Sequence, residues 1–106
     1  MKTVPEPSAD AITLPGLMAA LSDPVRVQIV RGLAERGEAP CGSFELGISK
    51  ATRSHHLRVL REAGVTRTRA DGTRRLVSLR REDLDARFPG LLDAVLAAAA
   101  REAVPA

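Results

Sequence analysis

The chain is nearly without aromatic residues and has a single cysteine. Phe44 and Phe88 are its only aromatics, Trp and Tyr being absent, so the core must be aliphatic. Cys41 stands alone, which excludes an intramolecular disulfide framework and points to a reducing compartment. The longest apolar run, Ala94 to Ala100, is far too short to span a bilayer. No cationic start followed by an apolar stretch marks a signal peptide, so a cytoplasmic protein with no membrane partner is expected. Histidine is confined to one adjacent pair, His55 and His56.

What remains is a chain of 106 residues with 44% hydrophobic and 27% charged side chains, enough for one modest domain. Alanine and leucine dominate and favour helices. The net charge of +3 conceals a strong asymmetry. Between Ser49 and Arg81 ten Lys or Arg face only Glu62 and Asp71, a local charge of +8, while the flanks carry −5. A basic middle between acidic flanks predicts a polyanionic partner met by one face.

Residues 1–12 contain two prolines and little periodicity and are expected to form a flexible leader before a single domain over 13–104. Leu17, Met18 and Leu21 share a face of a short helix. Ser22 or Asp23 then caps a firmer one, with Pro24 at its first position, Val27, Val30, Leu33 and Ala34 at helical spacing, and Gly37 as its stop. Pro40, Gly42 and Gly47 confine the next helix to 43–46. Ser49 caps a helix over 50–62 that Gly64 ends. Short helix, glycine-bearing turn and longer basic helix have the outline of a helix-turn-helix. Asp71-Gly72 between two extended runs predicts a hairpin over 65–79, read as an exposed ribbon because every second residue of its first arm is arginine. A short helix, a break at Pro89 and a last helix bearing Leu91, Leu92, Val95, Leu96 and Ala99 follow. That last stripe is wider than a chain of this length covers easily, which favours a partner subunit.

The adjacent histidines do not converge, because neighbours on a helix point about 100° apart. Metal pairs on helices sit at i and i+4, where this chain has Val59 and Leu60, and no acid lies within reach. A catalytic histidine would need an orienting carboxylate and a pocket that so short and aromatic-poor a chain does not offer, so no enzyme, metal site or cofactor is expected. Leu57 and Leu60 mark the inward face of helix 49–62, in line with Arg53. His55, Arg58 and Glu62 lie opposite them with Thr52 at the edge, and His56 borders the core as a packed structural residue. Ser49, Lys50, Thr52, Ser54, His55 and Arg58 are the short polar and cationic types that reach base edges and phosphates from a helix in the major groove. Arg67, Arg69, Arg74 and Arg75 on the hairpin add a second basic element able to clamp phosphates or enter a minor groove. The fold expected is mainly α with one small β-hairpin, a winged helix-turn-helix, and the partner double-stranded DNA.

The strings LSDPVRVQIVRGL, GISKATRSHHLRVLREAGV and RTRADGTRRLVSL resemble the ArsR-type (arsenic-repressor-like) winged-helix transcription regulators over residues 17–81. The resemblance implies a homodimer joined through its N- and C-terminal helices that binds inverted repeats and represses transcription. It places DNA contacts on Ser49, Lys50, Thr52, Ser54, His55 and the wing arginines. Arg53 departs from the family, which usually has an aliphatic residue there, and is expected to snorkel toward phosphate or an acid. Metal-sensing members use clustered thiolates in the first motif helix, or Asp, His and Glu ligands on the last helices. Here Cys41 is alone and the last helices carry Asp83, Asp85, Asp93 and Glu102 without histidine, so metal sensing of that kind is not expected and any small effector is unknown. Two alternatives stand beside the DNA reading. One is a protein-interaction module whose basic face meets an acidic partner. The other is a thiol sensor using Cys41, with its pKa lowered at a helix start, set against a bland reading of Cys41 as a packed residue.

Overall fold

The computed structural model describes residues 6–103. Its helices begin and end where the local chemistry dictates. α1 (Leu14–Ala20) is capped by the Thr13 hydroxyl, which accepts from the Gly16 N–H at 3.1 Å. α2 (Pro24–Arg36) is capped by Asp23, whose Oδ1 accepts from the N–H groups of Val25 at 2.8 Å and Arg26 at 3.3 Å. Gly37 closes α2 at φ +77°. α3 (Lys50–Glu62) is capped by Ser49, and α4 (Arg81–Arg87) and α5 (Leu91–Ala103) complete the helical shell. Among the described residues no helix is long and apolar enough to cross a membrane.

The α2 stripe differs by about one residue from the expected one. Ile29, Val30 and Leu33 are buried, whereas Val27 is half-buried and Ala34 exposed. The expected helix over 43–46 is absent. A single 3-10 turn, Cys41–Ser43, stands in its place, and the chain then runs irregularly to Ser49. Four residues between glycines cannot repay the cost of nucleating an α-helix. Side-chain anchors hold the segment instead: Ser43 Oγ donates to the Pro40 carbonyl, Arg36 donates to Ser43 Oγ, and Phe44 sinks into the core.

The hairpin pairs β2 (Thr66–Asp71) with β3 (Arg74–Leu79), and a third strand, β1 (Ala39–Pro40), joins β3 to give the antiparallel order β1-β3-β2. Asp71 pairs with Arg74, so the two-residue loop is Gly72-Thr73 rather than Asp71-Gly72. Glycine at its first position, φ +62°, with no positive φ at the second, fits a type II′ turn. The expectation of a fully exposed ribbon holds only for the tip, 71–75. Nearer the base Thr66, Thr68 and Val77 face the core, and Leu76, though buried, lies on the opposite face with the outward arginines of β2. Threonine looks polar in sequence, but its methyl face packs as a β-branched hydrophobe.

One core fills the space between these layers, drawing Leu17, Ile29, Val30, Leu33, Leu57, Leu60, Val65, Val77, Leu84 and Leu92 together. Ile12 belongs to it at 1% exposure, so the expectation of a free leader through residue 12 is corrected over 6–12. Two arginines tie that segment to α4. Arg80, whose side chain is 3% exposed, donates to the Pro7 carbonyl at 2.6 Å and holds Asp83 at 2.9 Å. Arg87 donates to the carbonyls of Asp10 and Ile12. Residues 1–5 and 104–106 of the expected boundaries lie outside the described residues.

Candidate nucleic-acid interface

α3 presents its polar residues as the helical period requires. Ser49, Lys50, Thr52, Ser54, His55 and Arg58 are exposed, and Leu57 and Leu60 are buried against α2. The Ser49 hydroxyl accepts from the Thr52 N–H at 3.1 Å and donates to the Thr52 hydroxyl at 2.9 Å, which fixes the first turn. Arg58 sits 3.4 Å from His55 Nδ1 and 3.6 Å from Glu62, both solvent-exposed contacts that constrain it weakly.

The two histidines have separate surroundings, their ring centroids 5.7 Å apart and their planes tilted by 55°. His56 is buried, and its Nδ1 lies 3.2 Å from Arg26 Nη1. A guanidinium can only donate, so Nδ1 accepts and the neutral ring carries its proton on Nε2. Arg26 also donates from Nε to the Ala20 carbonyl at 2.6 Å, linking the end of α1, α2 and the inner side of α3. Sequence reading missed Arg26, because nothing local marks a partner thirty residues away. Among the described residues no group of three or more His, Cys, Asp and Glu is placed to hold a metal ion.

The wing arginines divide into two sets. Arg67 donates to Glu6 at 2.9 Å and Asp83 at 3.4 Å, and Arg69 holds Glu38 through two bonds of 2.7 Å. The forked bond from Arg69 keeps the Glu38 carboxyl below its usual range. Arg74 pairs with Asp71 at 3.1 Å. Lys50, half-buried Arg53 and exposed Arg75 have no carboxylate partner among the described residues. These three meet around a groove of about 630 Å³ between the first turn of α3 and the wing tip. Pro40, Cys41, Gly42, Ser54, Thr73 and Arg74 complete its lining, which contains no acid among the described residues.

Cys41 is half-buried in this groove. Burial pushes its thiol up, and the opposing pull of Arg75 and Arg53 does not reverse that. The lowered pKa that a thiol sensor would use is therefore corrected: the thiol stays protonated near neutrality, as a packed residue does.

Comparisons with known proteins agree with this geometry. A helix-turn-helix domain family matches residues 21–69. The uncharacterized HTH-type transcriptional regulator YceK of Bacillus subtilis (strain 168) is 41% identical over 80 residues, which cover 73% of this chain and 80% of that protein. The crystal structure of the transcriptional repressor BigR from Xylella fastidiosa superposes with a TM-score of 0.66 at 32% identity, covering 88% of this chain and 89% of that one. A solved ArsR family transcriptional regulator superposes at 0.57 with 26% identity, over 87% and 93% of the two chains. The three-layer contact of α2, α3 and wing, the exposed basic helix and these likenesses lead to one assignment: the chain belongs to the ArsR-type winged helix-turn-helix transcriptional regulators, non-enzymatic DNA-binding proteins.

Proposed function

We propose that the protein is a homodimeric repressor that binds an inverted repeat, with α3 in the major groove and the wing on the flanking backbone. The observation that carries this reading is the division of charge. Of the basic middle segment, the cations left without a carboxylate (Lys50, Arg53 and Arg75) lie together beside the exposed polar residues of α3, on one face. Ser49, Thr52, Ser54 and His55 are the base-edge readers in this proposal, and Arg58 reaches base or phosphate. Arg67, Arg69 and Arg74, already held by acids, contribute less than Arg75 at the tip.

Self-association is supported by apolar surface at the two ends of the chain. Leu14 and Met18 on α1 are 47% and 54% exposed, and α5 shows Ala94, Ala97 and Ala98 to solvent beside half-buried Val95 and Leu96. A two-fold axis between such faces would place two copies of α3 on successive major grooves, about one helical turn apart. The repressor direction is supported by the likeness to BigR, itself named a repressor.

Selection from a random duplex library, with sedimentation of the protein alone and bound, tests the proposal. Expected are a dimer mass and an enriched inverted repeat bound at least about a hundredfold tighter than scrambled duplex. A monomer on DNA, or recovery of no sequence pattern, would overturn it.

A further inference from the structure

We infer that the groove between the first turn of α3 and the wing tip is a phosphate seat, with Arg53 as its central ligand. This rests on the DNA reading and says how recognition helix and wing act on one backbone. Arg53 occupies the inward line of α3 with Leu57 and Leu60, yet it is only half-buried, because its side chain emerges into the groove rather than into the core. Lys50 from the same turn and Arg75 from β3 flank it, and the Ser54 hydroxyl supplies a neutral donor.

Four cations line this groove, and Arg74 is paired with Asp71, but Lys50, Arg53 and Arg75 repel one another with no carboxylate partner among the described residues. A phosphodiester relieves them. Its oxygens fit the planar forks of Arg53 and Arg75, and Lys50 acts as a point charge beside them. Arg53, Arg75 and Cys41 line the same groove. A seat built half from α3 and half from the wing fixes the distance between the base-reading helix and the tip, so a phosphate bound there sets register rather than sequence.

Phosphate oxygen can come from a duplex or from free phosphate, and Cys41, the chain's only cysteine, reports which one fills the groove. The full-length protein is alkylated with iodoacetamide alone, with the duplex obtained by selection, and with inorganic phosphate at the same ionic strength. Expected is strong slowing by duplex and little by phosphate. In parallel, Arg53→Met should weaken duplex binding about tenfold at fixed salt, the worth of one lost charge-assisted contact. It should lower the salt slope by about 0.9 and leave the preference for selected over scrambled duplex unchanged. Arg53→Lys should keep the slope, and urea unfolding should show both variants folded.

Unchanged slope and affinity in Arg53→Met overturn the seat while leaving the DNA reading intact. Loss of sequence preference in that variant makes Arg53 a base reader and also overturns it. Protection of Cys41 by inorganic phosphate but not by duplex reassigns the groove to a free anion. A wild-type protein that binds no duplex overturns the DNA reading and the seat together.

Discussion

Replacing Gly64 by alanine should be among the most damaging single changes available outside the hydrophobic side chains. Gly64 follows α3 at φ +88°, and it closes the helix with two bonds, Gly64 N–H to the Arg61 carbonyl at 3.1 Å and Val65 N–H to the Leu60 carbonyl at 3.0 Å. This is the Schellman arrangement, in which the residue after the cap must adopt left-handed backbone geometry. Any residue with a Cβ loses about 1–2 kcal/mol there. The side chain also has no room, since its Cβ would fall on Ile12 Cγ1 and stand 2.6 Å from Ile12 Cδ1. Ile12 cannot retreat easily: it is β-branched, it lies in the core, and Arg87 grips its carbonyl at 2.8 Å. Overpacking of this kind typically costs about 1–3 kcal/mol.

The expected total of about 2–5 kcal/mol is a large share of the stability of a small domain. Urea unfolding at one fixed protein concentration measures it. A double-mutant cycle separates the two contributions. Ile12→Ala alone should cost about 2–5 kcal/mol, and in its presence Gly64→Ala should lose only the backbone share, giving a coupling of about 1–3 kcal/mol. Strict additivity would refute the steric half of the argument. A Gly64→Ala loss under about 0.5 kcal/mol would refute both halves.

Gly64 also shows what could be read from sequence. Punctuation was legible wherever one residue type has one physical reason to be present: Asp23-Pro24 at the start of α2, Gly37 at its end, Ser49 and Gly64 around α3, and Gly72 at the wing. The outward position of His55 and the packed position of His56 followed from helical period alone. What sequence hid was tertiary. β1 is two residues long and owes its existence to β3, so no local pattern announces it. The helix expected over 43–46 needed more residues than two glycines allow. The pairings that neutralise Arg67 and Arg69 come from Glu6, Asp83 and Glu38, and the bonds of Arg67 to Glu6 and Arg69 to Glu38 span 61 and 31 residues. Four wing arginines look equivalent in a string of letters, and only the fold separates those that are committed from Arg75, which is not.

The remaining predictions concern charge. Asp23 is pushed up by burial, but the N–H groups of Val25 and Arg26, with the Arg26 guanidinium nearby, outweigh this and hold its carboxyl below the usual carboxylate range. The folded value lies below the unfolded one, so its stabilisation is complete above the ordinary value and fades as pH falls through the lowered one. Asp23→Ala should therefore cost about 0.5–2 kcal/mol at neutral pH, as loss of an N-cap does. The difference from wild type should shrink in acid, and a gap in urea stability that persists at the lowest pH would contradict the capping account. The last prediction turns on Glu38, which holds Arg69 by a fork yet leaves the Arg69 side chain more than half exposed. Glu38→Gln should free Arg69 for the backbone, strengthen duplex binding and steepen its salt slope, by up to about 0.9 if Arg69 reaches one phosphate. Arg69→Ala in the wild-type background should change that slope little, whereas Arg75→Ala should lower it. If Arg69→Ala and Arg75→Ala lower the slope equally, the phosphate already competes Glu38 away in the complex, and the division of the wing arginines describes only the free protein.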